Sequence, residues 1–127
     1  MLKNPYGDFT QEGSAFQIRT PDIPRNWYNY LWNDNYITFV SQTGAGEGFL
    51  QDSLGRRIGL IADRGVYLTE GGAHWGISGL PVKEKREDFS CVHDLGNTVI
   101  TVKNRGITSK LCFFVPNSES CELWRLK

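Results

Sequence analysis

A charge of one sign is missing from this sequence: Lys+Arg and Asp+Glu are both 14 in 127 residues, so the net charge is zero. No basic stripe can supply the attraction that a phosphate backbone or an anionic membrane surface requires, which argues against nucleic-acid and membrane partners. No run approaches the roughly 20 apolar residues that span a bilayer. The opening MLKNPYGDFTQEG carries no apolar targeting core, so the expected location is cytoplasmic. Cysteine pairs at C-x-x-C spacing are absent. The three that occur, Cys91, Cys112 and Cys121, suit neither a disulfide scaffold nor a zinc site and read as free thiols. Cys112 lies in LCFFV, where a thiol behaves as a small buried hydrophobe.

The usual catalytic signatures are absent too: there is no G-x-S-x-G, H-E-x-x-H, Walker loop or kinase set. GAGEGF at 44–49 looks like a dinucleotide loop, but glycine soon breaks the following FLQDSLGRR, so a glycine-rich β-turn is the better reading. His74 and His93 have no partner at ligand spacing, and no metal site is expected. Asp52 followed by Arg56 and Arg57 could hold an anion, although an ion pair across a tight turn explains the pattern more simply. No residue is assigned a catalytic role.

Glycine, by contrast, is plentiful. Fourteen residues of it, many in turn clusters, cut the chain into segments of strand length and predict an all-β fold. Trp27–Trp32 and Tyr36–Ser41 form a hairpin about Asn33-Asp34-Asn35. Gly48–Gln51, Arg57–Ile61, Val66–Thr69 and His74–Ile77 follow as strands, then a charged crossover loop within SGLPVKEKRED, then Phe89–His93, Thr98–Lys103 and Ile107–Val115. Such spacing predicts an antiparallel β-sandwich. The terminal CELWRLK has an apolar strand pattern. It is expected to dock as a paired strand or, as the favoured alternative, to have been cut from a longer protein.

The aromatic run TPDIPRNWYNYLWNDN at 20–35 is the best binding candidate. Aromatic faces stack on sugar rings while amides bind hydroxyls. Strand alternation puts Tyr28, Tyr30 and Trp32 on one face and Trp27, Asn29 and Leu31 on the other, and one face must be core. Core packing is therefore favoured over sugar binding for most of these rings. Trp27, Tyr30, Trp32 and Trp75 are the candidate carbohydrate-binding or interface residues.

The ordered series YGDF (6–9), PDIPRNWYNYL (21–31), GFLQDSLGRR (48–57), HWGISGLPV (74–82), HDLGNT (93–98) and LCFFVP followed by ELWRL resembles the N-terminal region of cellobiose-phosphorylase-like enzymes. These form glycoside hydrolase family 94, formerly glycosyltransferase family 36. The resemblance implies an inverting glycoside phosphorylase that splits a β-glucosidic bond with inorganic phosphate as co-substrate and needs no cofactor. It also implies that residues 1–127 are part of an N-terminal β-sandwich, about its first half, with the catalytic (α/α)6 barrel absent.

On that expectation the segment is inactive alone. It packs on the parent barrel, contributes to dimer contacts and shapes the active-site mouth. Freed from the parent it would self-associate or curl into a small closed barrel. Two departures stand out: Glu47 interrupts the glycines of the 44–48 turn, and Asp94 and Asn97 replace a glycine and a tyrosine in HDLGNT. Asp and Asn tolerate left-handed turns, so the fold should survive, while a local sugar or interface contact is placed in doubt. The alternative is a stand-alone carbohydrate-binding module that takes an oligosaccharide on exposed aromatics.

Overall fold

The computed structural model describes residues 4–10, 12–78 and 85–127. These residues form twelve strands and no helix. A six-stranded antiparallel sheet runs in the order β1 (Gly7–Phe9), β2 (Phe16–Ile18), β9 (Asp88–His93), β10 (Thr98–Asn104), β11 (Ile107–Phe114) and β12 (Leu123–Leu126). A four-stranded antiparallel sheet comprises β3 (Tyr28–Trp32), β4 (Tyr36–Ser41), β5 (Gly48–Gln51) and β6 (Arg57–Ile61). β7 (Tyr67–Glu70) and β8 (Ala73–Gly76) make a separate hairpin.

The expected sandwich is present, and each sheet is open-ended, so the alternative of a small closed barrel does not hold. β1 and β2 were not expected from the sequence; three residues are too few to display an alternation of period two. Of the charged crossover loop, residues 79–84, which include all of GLPV, lie outside the described residues. Its remaining part is tied to the six-stranded sheet, where Glu87 pairs with Lys103 at 3.3 Å and accepts from the Gly106 amide at 2.9 Å.

Local chemistry sets the hairpins. Asn33 accepts from the amides of Asn35 (2.9 Å) and Tyr36 (2.8 Å), which closes the β3–β4 turn. Its amide group then donates to the carbonyls of Pro116 and Glu119, both at 2.7 Å, and so pins this turn to the segment leading into β12. Between β10 and β11, Arg105 and Gly106 both have positive φ (53° and 77°), as a two-residue type I′ turn requires.

Leu31 and Val40 of the four-stranded sheet meet Ile18, Cys91, Ile100, Val102, Leu111 and Phe113 of the six-stranded sheet, with Ile77 beside them. Fully burying one such side chain contributes about 1.5–3 kcal/mol, so this layer is the main source of stability. Cys91 lies fully inside it, and burial pushes its thiol up to about 12, which removes it as a nucleophile. Cys91, Cys112 and Cys121 are free thiols, and Cys112 is buried as expected.

One charged pair bridges the layers. Arg64, between β6 and β7, donates Nε to Glu122 Oε1 (2.6 Å) and Nη2 to Glu122 Oε2 (2.8 Å), with both side chains 1% exposed. Nη2 also donates to Thr38 Oγ1 at 2.5 Å, while Tyr36 and Trp124 donate to the Glu122 carboxylate at 3.1 and 2.7 Å. Burial alone would raise the Glu122 carboxyl; its bonds with Arg64 and the neighbouring donors outweigh that and hold it below the usual range. Burial and the adjacent carboxylate push the Tyr36 phenol up.

Candidate functional site

Strand alternation decides which rings of the 20–35 run are available. In β3, Leu31 is buried and Asn29 half-buried, whereas Tyr28, Tyr30 and Trp32 are exposed. The inward side is fixed by Asn29, whose amide donates to the carbonyls of Asp94 (2.8 Å) and Asn97 (3.1 Å) in the β9–β10 turn. That turn closes with Asp94 N donating to Asn97 O at 2.9 Å, so the two departures in HDLGNT leave it intact.

Trp27 lies just before β3, half-buried among Tyr6 and Phe16 at centroid distances of 6.1 and 5.6 Å. Its backbone is held from both sides: its N–H donates to Gln42 Oε1 (3.1 Å), and its carbonyl accepts from His93 Nε2 (3.0 Å). His93 Nδ1 then accepts from the Thr98 hydroxyl at 3.0 Å. Burial lowers the pKa of His93, consistent with a neutral imidazole holding this one tautomer.

The outer face of the four-stranded sheet is continuous across its strands. Cross-strand pairing sets Tyr30 opposite Phe39 and Trp32 opposite Ile37. Phe39 packs edge-on to Tyr28 at 5.3 Å and tilted to Tyr30 at 5.8 Å. Ile37 lies beside Phe49 of β5, which Arg57 covers with its guanidinium 4.2 Å from the ring centroid. Leu60 of β6, paired with Phe49, completes the face and is exposed.

The four candidate residues therefore fall in three places. Tyr30 (57% exposed) and Trp32 (67%) share the outer aromatic face. Trp27 is on the core side of the run. Trp75, on β8, is only 2% exposed and offers no ring face to a ligand in this chain. The sequence reading did not bring Ile37, Phe39, Phe49 and Leu60 to this face. The observed register is that of a two-residue loop, Asp34-Asn35, closed by Asn33 N donating to Tyr36 O at 3.0 Å. The expected loop of 33–35 would have set Tyr30 against Thr38, and a one-residue slip moves Phe39 to the other face.

Little here can perform bond-breaking chemistry. Asp52 is occupied within its own turn: it accepts from the amides of Leu54 (2.9 Å) and Arg56 (2.8 Å) and pairs with Arg56 Nε at 2.6 Å. The Arg56 backbone bond is the largest influence holding its carboxyl low. The ion pair, the simpler of the two readings, is the one observed. Among the described residues no three His, Cys, Asp or Glu side chains gather as a metal site. No helix of the described residues is long and apolar enough to cross a membrane.

The described residues form a two-layer antiparallel sandwich with an aromatic outer face. The chain is a member of the glycosyl hydrolase 94 supersandwich domain family, which matches residues 14–127. It is 36% identical over 121 residues to a 3-O-beta-D-glucopyranosyl-beta-D-glucuronide phosphorylase of Paenibacillus borealis, covering 94% of this chain and 16% of that enzyme. It is 31% identical over 131 residues to a solabiose phosphorylase of the same organism, covering 94% and 17%. It is 28% identical over 131 residues to an N,N'-diacetylchitobiose phosphorylase of Vibrio proteolyticus, covering 94% and 16%. The chain thus spans about a sixth of the length of these relatives, a share consistent with a non-catalytic segment.

Proposed function

We propose that this chain acts as the non-catalytic supersandwich segment of a cytoplasmic glycoside phosphorylase that uses inorganic phosphate to convert a β-glucoside, such as cellobiose, to a sugar 1-phosphate. Its role is to pack against the catalytic part of the enzyme, to support dimer contacts and to shape the mouth of the active site. The observation that carries this reading is the aromatic outer face of a sheet whose inner face is already core. Tyr and Trp are enriched at the centres of protein interfaces, where they bury large rigid surfaces.

The relatives are named for three different disaccharides yet are similar to this segment to comparable degrees, from 28% to 36%. That supports placing disaccharide choice in the remainder of the enzyme. Left uncovered, the aromatic face favours self-association. A second reading, oligosaccharide binding on the same rings, is favoured by the exposure of Trp32 alone.

The chain incubated with cellobiose and phosphate is expected to release no glucose 1-phosphate, and measurable turnover would overturn the assignment. Added in trans to a related phosphorylase lacking its own supersandwich, the chain is expected to restore activity, and Trp32→Ser to impair that rescue. Saturable quenching of tryptophan fluorescence by gluco-oligosaccharides, abolished by Trp32→Ser, would favour the second reading.

A further inference from the structure

The glycine-rich turn GAGEGF has a structural use beyond connecting β4 to β5. It forms one wall of an open pocket of about 380 Å³, lined by Thr43, Ala45, Gly46, Asp63, Arg64, Gly65, Tyr67 and Ser78. The wall is rigid: Ser41 N donates to Ala45 O (2.7 Å), Gly44 N donates to Ser41 O (3.0 Å), and the Ser41 and Thr43 hydroxyls are bonded at 3.1 Å. Gly46 has φ 137° and lies so close to the Phe39 carbonyl that a Cβ there would overlap it.

The opposite wall is fixed as well. Arg64 is immobilised by Glu122, and the residues on either side of it face the pocket. Asp63 is in the left-handed region at φ 54°. Its carboxylate has no hydrogen-bond or ion-pair partner among the described residues. Gly65 leaves room for the Tyr67 ring, since a Cβ there would come within 3.0 Å of it. Tyr67 is itself about half exposed. The pocket therefore offers one aromatic ring, one carboxylate and the hydroxyls of Thr43 and Ser78, between two backbone segments that need no reordering on binding.

We infer that this pocket binds a neutral, hydroxyl-rich sugar ring, with Tyr67 as the stacking face and Asp63 accepting hydrogen bonds from sugar hydroxyls. This rests on the reading of the chain as part of a carbohydrate-active enzyme. The chemistry disfavours the other candidates. A phosphate or uronate meets the Asp63 carboxylate, and the Arg64 guanidinium that could offset it is already paired. A quaternary ammonium needs an aromatic cage, and this pocket holds a single ring. The pocket lies at the Ser41 end of β4, away from Trp32, which pairs near the Tyr36 end.

The test is a titration of the isotope-labelled 127-residue chain with methyl β-D-glucopyranoside, following backbone amide shifts. Methyl β-D-glucuronide and tetramethylammonium serve as comparison probes. The inference expects saturable shifts at Ala45, Gly46, Gly65 and Tyr67 with the glucoside and with neither comparison probe. Tyr67→Ala should abolish them, Tyr67→Phe should keep them, and Asp63→Asn should weaken binding about tenfold, the loss of one strong polar contact. A spectrum that keeps its dispersion shows that each variant folds. Absence of saturation, equal response to either comparison probe, or shifts confined to Tyr30 and Trp32 would overturn it. The phosphorylase reading stands or falls separately, on the turnover and rescue assays.

Discussion

Across the six-stranded sheet, the residues that alternate with the core include Gln17, Ser90, Thr101, Lys103 and Lys110, together with a short row of Val92, Val99 and the buried Cys112. Across the four-stranded sheet, they are Tyr28, Tyr30, Trp32, Ile37, Phe39 and Phe49. The first face is mainly polar around that row, with Gln17 and Ser90 bonded to each other at 3.1 Å. The second is dominated by aromatic and aliphatic side chains, with Ser41 opposite Tyr28 as its polar member. The difference teaches that the two outer faces are unequal in chemistry: one is largely polar, and the other is a continuous aromatic and aliphatic surface.

The largest expected effect comes from removing what joins the layers. Glu122→Ala leaves Arg64 charged and buried without its carboxylate, and should destabilise the chain by about 3–5 kcal/mol. Urea unfolding followed by tryptophan fluorescence would show it; a loss below about 1 kcal/mol would mean that the pair is not buried as described.

Next is the contrast between neighbours on β3. Leu31→Ala, facing the core, should cost about 2–5 kcal/mol. Tyr30→Ala, one residue earlier on the outer face, should cost much less in the isolated chain. Equal losses would erase the distinction between the two faces.

Acid should act on the contacts beneath β3 before it reaches the carboxylates. The folded pKa of His93 is depressed, so the unfolded chain takes up its proton first, and stability must rise with pH across that interval. The contribution is fully present above the unfolded value of about 6.5 and is lost as pH falls through the folded value. The urea midpoint should therefore drop as pH falls below about 6.5, and His93→Gln should flatten that drop. Glu122, also depressed, adds a further loss only as pH falls from about 4.3 through its folded value.

The smallest expected effect on stability is that of Trp32→Ser, within about 0.5 kcal/mol as for an ordinary surface position. Its readout is association: the variant should self-associate less in sedimentation at equal concentration. Unchanged association would move the interface away from the outer aromatic face.

Much of this structure is legible in local sequence. Turn chemistry at Asn33-Asp34-Asn35 and Arg105-Gly106, with β-branched and aromatic runs between turns, determined where β3 to β6 and β9 to β11 lie, because both signals act over a few residues. Collinear motifs likewise carried the family. Alternation also placed Trp27 and Trp32 on opposite sides of the run, but its symmetry gave no means of saying which side is core. Only the tertiary structure decided that Trp27 turns inward and Trp32 outward, since that depends on which face the six-stranded sheet covers. The burial of Trp75, the meeting of Arg64 with Glu122 across 58 residues, and the pocket between the 42–47 and 63–67 segments were decided there too. Each joins groups whose separation in sequence leaves no periodic trace, and each exists only because packing two sheets brings those groups within bonding distance.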